Sequence, residues 1–257
     1  MFKSELKSII EGVRGTVGVI VKDLSTGDIF SYNEGVVFPA ASVIKLSILW
    51  ALFEEIEAGK LSLDDEITLS DQHRVGGFGI LKELHSGLNL TIKDLATLMI
   101  ILSDNVATNI LIDIIGIERI NESIKGIGMK KTSLQRKMMD VQAKQRGLDN
   151  FTTPEDTLII LENYINSNKL SQDSRQIMID ILKRQQCNNK LPEFLPEGWV
   201  LAHKTGDLPG VEHDVGILYT NRKTVIIIVM TKDLIDNREG IKLNNEIGRI
   251  VYSHFNQ

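Results

Sequence analysis

Phe38-Pro39-Ala40-Ala41-Ser42-Val43-Ile44-Lys45 opens a run to Ala58 that is apolar nearly all round, with Leu46, Ile48, Leu49, Trp50, Leu52 and Phe53. A helix apolar on every side belongs in an interior, so residues 42–58 predict a central buried helix. Ser42 stands at its start, and Lys45, one turn on, shares its face. A serine hydroxyl is a weak nucleophile until a neighbour takes its proton. Burial weakens a lysine's hold on its own proton, so the pair is a candidate nucleophile and base. The plain alternative is a lysine kept for an ion pair. The helix start also turns free backbone N–H groups and positive dipole potential toward developing negative charge. The spacing alone is a weak signal, because Ser4-Glu5-Leu6-Lys7 repeats it in a polar segment near the N-terminus.

Outward from that helix the pattern differs on the two sides. Residues 1–11 read as an amphipathic helix, and Gly15 to Tyr32 as a hairpin turning at Ser25-Thr26-Gly27-Asp28. Helical spacing fills the middle: Thr91 to Leu102, with Thr91 and Asp94 as an N-terminal cap pattern, then Asn105 to Ile115, Thr153 to Asn166 and Ser171 to Arg184. Strand patterns return at Trp199 to Lys204, Val215 to Tyr219 and Thr224 to Thr231, with turns expected at Gly206–Gly210 and Asn221-Arg222. A helix from about Ile241 to Phe255 closes the chain. Strands at both ends enclosing a helical middle predict an α+β fold. Residues 1–40 and 190–257 would form an antiparallel sheet with flanking helices, and residues 41–189 a mainly helical lobe. A ligand site is expected at the junction of the two.

Two further tripeptides carry chemistry. Ser103-Asp104-Asn105 falls between two helical segments, where Ser103 can relay a proton to a leaving nitrogen and Asn105 can hydrogen-bond a substrate amide. The competing use is a helix cap, the part expected of Asp104. Lys204-Thr205-Gly206 closes a strand pattern, offering a cation and a hydroxyl to a carboxylate, with Gly206 letting a ligand lie close along the strand.

Composition excludes other classes. Across 257 residues, 42% are hydrophobic and 25% charged, the usual balance of a globular protein with a sizeable core. A net charge of −5 with scattered Lys and Arg offers no basic surface to nucleic acid. No stretch reaches the ~20 apolar residues that span a bilayer. Residues 1–11 lack the apolar core of a signal peptide, so a cytoplasmic location is expected, or a secreted one if a leader preceded this sequence. Cys187, the only cysteine, forms no intrachain disulfide and has no catalytic-looking neighbour. The five histidines show no metal-ligand spacing, and neither a metal nor an organic cofactor is expected. A monomer is expected.

Ser42-x-x-Lys45, Ser103-Asp104-Asn105 and Lys204-Thr205-Gly206, in that order, together with residues 38–45, 103–110 and Thr152-Thr153-Pro154, resemble the class A β-lactamases. The likeness runs from about Gly15 to the end. It implies a β-lactamase/transpeptidase-like fold and hydrolysis of a β-lactam amide through an acyl-Ser42 intermediate. Lys45 would be the base partner, Ser103 the proton relay and Asn105 the amide anchor, while Lys204 and Thr205 would hold the substrate carboxylate. The N–H groups of Ser42 and Asp207 would form the oxyanion hole.

Two departures from that pattern matter, one in a loop and one after Lys204. The family's deacylating glutamate follows an arginine in an Arg-x-Glu setting, and here Arg136-Lys137-Met138 puts a thioether in its place. Asp140, two residues on, is the candidate substitute, and Asn150 stands where an aspartate usually closes the loop onto the arginine. His213 stands nine residues after Lys204, where an arginine often helps bind the carboxylate. A D-alanyl-D-alanine peptidase or small-ester hydrolase, and a penicillin-binding sensor that does not turn over, are the alternative readings.

Overall fold

The computed structural model describes residues 2–220 and 222–256, so Asn221 of the expected Asn221-Arg222 turn lies outside the described residues. In chain order the elements are α1 (Phe2–Glu11), β1 (Thr16–Asp23), β2 (Ile29–Tyr32), β3 (Phe38–Pro39), α2 (Lys45–Glu57), β4 (Glu66–Thr68) and β5 (Asn89–Thr91). Then come α3 (Ile92–Ile101), α4 (Asn105–Ile115), α5 (Ile117–Gly126), α6 (Val141–Gln145), β6 (Phe151–Thr152), α7 (Pro154–Ile165) and α8 (Gln172–Leu182). The chain ends on β7 (Val200–Leu208), β8 (Val211–Tyr219), β9 (Thr224–Lys232) and α9 (Asn237–Phe255).

Five strands from the two ends of the chain form one antiparallel sheet in the order β2-β1-β9-β8-β7. Its two faces bury alternate residues, as the period of a strand requires. Val17, Val19 and Val21 of β1 and Val225, Ile227 and Val229 of β9 face α1 and α9 through Leu6, Ile10, Leu243, Ile247 and Val251. Ile20, Ile226, Ile228 and Met230 face the helical middle. Both faces are covered, which is why β9 reads as an unbroken apolar run rather than an alternating one. α2 lies in the middle of the second core, buried from Lys45 through Phe53 as its all-round apolar sequence demands. No helix among the described residues is long and apolar enough to cross a membrane.

The structure starts β8 at Val211 rather than Val215 and corrects three further boundaries. The segment of Ser42 is a 3-10 turn, Ala41–Ile44, and α2 itself begins at Lys45. β7 does not stop at Lys204 for a turn at Gly206–Gly210; it stays paired with β8 through Leu208↔Val211, leaving Pro209-Gly210 as the turn. α9 starts at Asn237, four residues before Ile241, because the Asp236 carboxylate caps it. The cap patterns read from sequence do form: Thr91 and Asp94 make a reciprocal box, and Asp104 caps α4.

Candidate active site

Ser42 is held where β7 meets the turn before α2. A Cβ placed on Gly206 would lie 3.3 Å from the Ser42 backbone N and 3.2 Å from the Ala41 Cβ, so a larger residue there would push the strand off Ser42. Ala41 and Ser103 both sit in the left-handed backbone region, at φ 45° and 53°. That conformation costs a non-glycine residue about 1–3 kcal/mol and persists where the surroundings over-determine it. Ala41 adjoins Ser42, and Ser103 lies against the Lys45 amine.

Lys45, fully buried, reaches into the Ser103-Asp104-Asn105 segment. Its Nζ lies 2.7 Å from Ser103 O, 3.0 Å from Ser103 Oγ and 3.1 Å from Asn105 Oδ1. Burial, then the neighbouring Lys204 charge, lowers its pKa well below the usual lysine value. Three acceptors suit an ammonium, whereas burial favours the free amine. A hydroxyl rotor resolves the conflict, since Ser103 Oγ can turn its proton toward a neutral Nζ that donates to the other two. Among the described residues no hydrogen bond reaches the Ser42 hydroxyl, a looseness common before substrate binds.

Ser103 joins the second lysine to the first. Lys204 Nζ lies 3.1 Å from the same Ser103 Oγ and donates to Thr205 O at 2.8 Å. It too is fully buried, and burial lowers its pKa to about 8. The next residue, Thr205, is buried with its hydroxyl lacking any hydrogen-bond partner, an orphan that an incoming ligand group would satisfy. Asn105 is the first residue of α4, and its Nδ2 donates to Gly76 O. Asp104 caps α4 through Ala107 N and takes Ile80 N and Leu81 N at 2.7 and 2.9 Å, tying the 76–81 loop to the site. Gly79, at φ 114°, is needed for this: a Cβ there would stand 2.3 Å from the Asp104 carboxyl.

Ser42 opens on a cavity of about 200 Å³, with Phe78, Asn105, Met138, Asp149 and Asp207 on its walls. Met138 is buried, and Asn109 clamps its backbone from both sides, accepting Met138 N at 2.8 Å and donating to Met138 O at 3.1 Å. Asp140, the candidate substitute for the missing carboxylate, is not on the walls of the Ser42 cavity. Its Oδ1 caps α6 through Ala143 N at 2.8 Å, and the residue lines a different hollow with Arg74, Asp113 and Lys137. Asn150 does not leave Arg136 unpaired either. Asp149, one residue earlier, accepts Arg136 Nε and Nη2 at 2.9 and 2.7 Å, while Asn150 Oδ1 takes the N–H groups of Gln135 and Arg136.

His213 is not available to a substrate carboxylate. It is fully buried, with Nε2 2.8 Å from Pro39 O and Nδ1 accepting Thr231 N, and burial lowers its pKa to about 4. A neutral ring with both nitrogens engaged by backbone offers an anion nothing. Sequence reasoning missed Lys190, Glu212 and Phe78. Lys190 is fully buried, 2.5 Å from an Asp207 oxygen and 2.6 Å from a Glu212 oxygen. Phe78 is exposed beside the cavity, and the glycines that bracket it, Gly77 and Gly79, were the available signal.

Residues 1–255 match the model of the beta-lactamase enzyme family. The chain belongs to that family. It shares 32% identity and a TM-score of 0.90 with the crystal structure of a beta-lactamase from Sphaerobacter thermophilus, covering 98% of this chain and 96% of that one. An ancestral class A beta-lactamase aligns at 26% identity and TM-score 0.91, over 99% of this chain and all of the other. PBP-A carrying an L158E substitution, solved as an acyl-enzyme complex with penicillin G, aligns at 28% identity and TM-score 0.89, over 99% and 96%. This beta-lactamase-family chain is therefore an enzyme of the class A, serine-hydrolase kind, with the mixed fold of an antiparallel sheet and helices that its sequence predicts.

Proposed function

We propose that the chain hydrolyses the amide of a β-lactam through an acyl-Ser42 ester. Ser42 Oγ attacks the carbonyl carbon and its proton passes to the Lys45–Ser103 pair. Ser103 returns a proton to the ring nitrogen as the C–N bond breaks. Lys204 and the unpartnered Thr205 hydroxyl receive the substrate carboxylate, Asn105 its amide, and the Ser42 and Asp207 N–H groups the oxyanion. The observation that carries this reading is the Ser103 hydroxyl held 3.0 and 3.1 Å from two buried lysine amines beside the cavity of Ser42.

A specific observation favours slow release of the ester. A buried thioether, Met138, lines the cavity where a carboxylate would activate water, and Asp140 is spent on a helix cap. The variant form of this reading is a penicillin-binding protein that stays acylated. Intact mass followed over time with benzylpenicillin tests both. The adduct should form on the wild type and not on Ser42→Ala, while Ser4→Ala, at an exposed position of α1, should label normally. Labelling that survives Ser42→Ala removes the proposal. Steady turnover of a chromogenic cephalosporin supports hydrolysis, and a burst of one equivalent supports the trapped form.

A further inference from the structure

Met138 and Met139 stand on the wall of the Ser42 cavity and also on the wall of a second hollow, of about 280 Å³, between α4, the 72–75 segment and residues 137–140. Met139 is the partition at the rim. It is half exposed, and its side chain lies across Gly77: a Cβ on that glycine would stand 3.1 Å from Met139 Sδ and 2.5 Å from Asn105 Nδ2. Gly77 also holds φ 80°, so both its backbone and its surroundings require glycine. Met139 itself sits in the left-handed region at φ 61°, a costly conformation for a residue with a side chain. A methionine kept there is kept for that side chain, and an unbranched thioether yields readily to a group that presses on it.

The hollow behind the partition carries charge of both signs. Arg74 is committed to Asp71, at 3.0 Å, and to the carbonyls of Lys82 and Leu84, while Asp140 caps α6. Lys137 and Asp113 pair only with each other, and their side chains stay 41% and 54% exposed. Among the described residues, the Lys137 ammonium makes no other bond and Asp113 engages only Oδ1. The pair therefore still offers ammonium hydrogens and a carboxylate oxygen on adjoining groups. An end group of one charge would meet repulsion from one member along with attraction from the other. An end group that carries both charges matches both.

We propose that this hollow is a distal subsite for the acyl side chain of the substrate, receiving a zwitterionic end group, an α-ammonium carboxylate on a flexible chain, past a yielding Met139. The proposal rests on the acyl-Ser42 reading and deepens it, because it names the class of acyl donor. One face of α4 joins the two chambers. Asn105 lines the Ser42 cavity, and Asn109 and Asp113, four and eight residues on, line the hollow. Eight residues of helix span about 12 Å, the reach of a six-carbon acyl chain with a hydrogen bond of about 3 Å at each end.

Three cephalosporins with one nucleus and a six-carbon side chain carry the test. The aminoadipoyl chain ends in an ammonium and a carboxylate, the adipoyl chain in the carboxylate alone, and the hexanoyl chain in a methyl group. The rate at which each adds mass to Ser42 is to be measured for the wild type, Lys137→Gln, Asp113→Asn and Met139→Ala, with melting temperatures to show that each is folded. The aminoadipoyl probe should acylate the wild type about fivefold faster than either of the others, the scale of two partly exposed ion pairs. Lys137→Gln and Asp113→Asn should each bring its rate within twofold of the hexanoyl rate. Asp113→Asn should also make the adipoyl probe the faster of the two charged ones, a reversal that a merely structural role would not give. Met139→Ala should keep the wild-type preference; its disappearance there would put the preference at the rim and overturn the proposal. An aminoadipoyl rate within twofold of the hexanoyl or the adipoyl rate in the wild type, or a preference that survives in both charge variants, overturns it as well while the acyl-Ser42 reading stands. If no probe adds mass to Ser42 in any chain, that reading falls, and the distal subsite with it.

Discussion

Lys204 is the residue whose charge state the site depends on at physiological pH. Burial has brought its pKa down to about 8, so it is largely protonated at pH 7 and loses its charge as the pH rises through 8. If its cation receives the substrate carboxylate, kcat/KM for a carboxylate-bearing β-lactam should fall above pH 8, approaching tenfold per unit. A neutral ester should show no such limb. Lys204→Ala should likewise weaken the carboxylate substrate by one to two orders of magnitude more than the ester, the scale of a lost charge-assisted hydrogen bond. Parallel losses on both substrates would mean that Lys204 acts through Ser103, 3.1 Å away, in moving protons instead.

The 136–150 loop is the element on which deacylation turns. Arg136–Asp149 closes it, Asn150 gathers its backbone, and Asn109 fixes Met138 by both backbone groups. A glutamate put in place of Met138 would therefore start from a held backbone facing the Ser42 cavity. General-base help contributes about 10²–10⁴-fold, or about 3–5 kcal/mol of barrier, so Met138→Glu should shorten the acyl-enzyme lifetime by at least tenfold. Asp140→Asn should leave that lifetime within twofold, because an asparagine caps α6 as well as an aspartate does. A lifetime that lengthens in Asp140→Asn would reinstate that carboxylate as the base. The loop also marks where the sequence stops being legible. Arg136, Met138 and the Thr152-Thr153-Pro154 step could be read, but the partner of Arg136 slid by one residue to Asp149, which no local pattern reveals. α6, five residues long, and the two- and three-residue strands β3 to β6 are too short to show a period. α5 went unread, although Ile117, Ile120 and Ile124 repeat at helical spacing. Ser42, Lys45, Ser103 and Lys204 could be read as candidates because local motifs carry them. The Lys190–Asp207–Glu212 cluster was not, because only the tertiary fold brings Lys190 to the β7–β8 hairpin.

At the scale of the whole molecule, His213 joins strands of two different sheets that sequence separates. Standing on β8, it has Nε2 2.8 Å from the carbonyl of Pro39 on β3, and its Nδ1 accepts the N–H of Thr231 on β9. The Thr231 bond requires the neutral ring, because a proton on Nδ1 would remove the acceptor that Thr231 uses, whereas Pro39 O accepts from Nε2–H in either state. Burial accordingly lowers the folded-state pKa from 6.5 to about 4. In the unfolded chain the ring takes up a proton near pH 6.5, so between pH 6.5 and 4 the unfolded state binds more protons. Stability then falls as the pH falls through that window. A shift of about two and a half units, at about 1.4 kcal/mol each, bounds the effect at about 3 kcal/mol. That is a large share of the ~5–15 kcal/mol that holds a typical domain together. Carboxylates also lose their pairs in acid, so the wild type alone cannot isolate the histidine. His213→Gln does, because glutamine can offer a donor and an acceptor yet does not titrate. Urea unfolding at pH 7 should find the variant less stable than the wild type, and at pH 4.5 that gap should have narrowed by about 2–3 kcal/mol. A gap of the same size at both pH values would mean that His213 keeps its bonds when charged, and that the acid sensitivity of the sheet lies in its carboxylates.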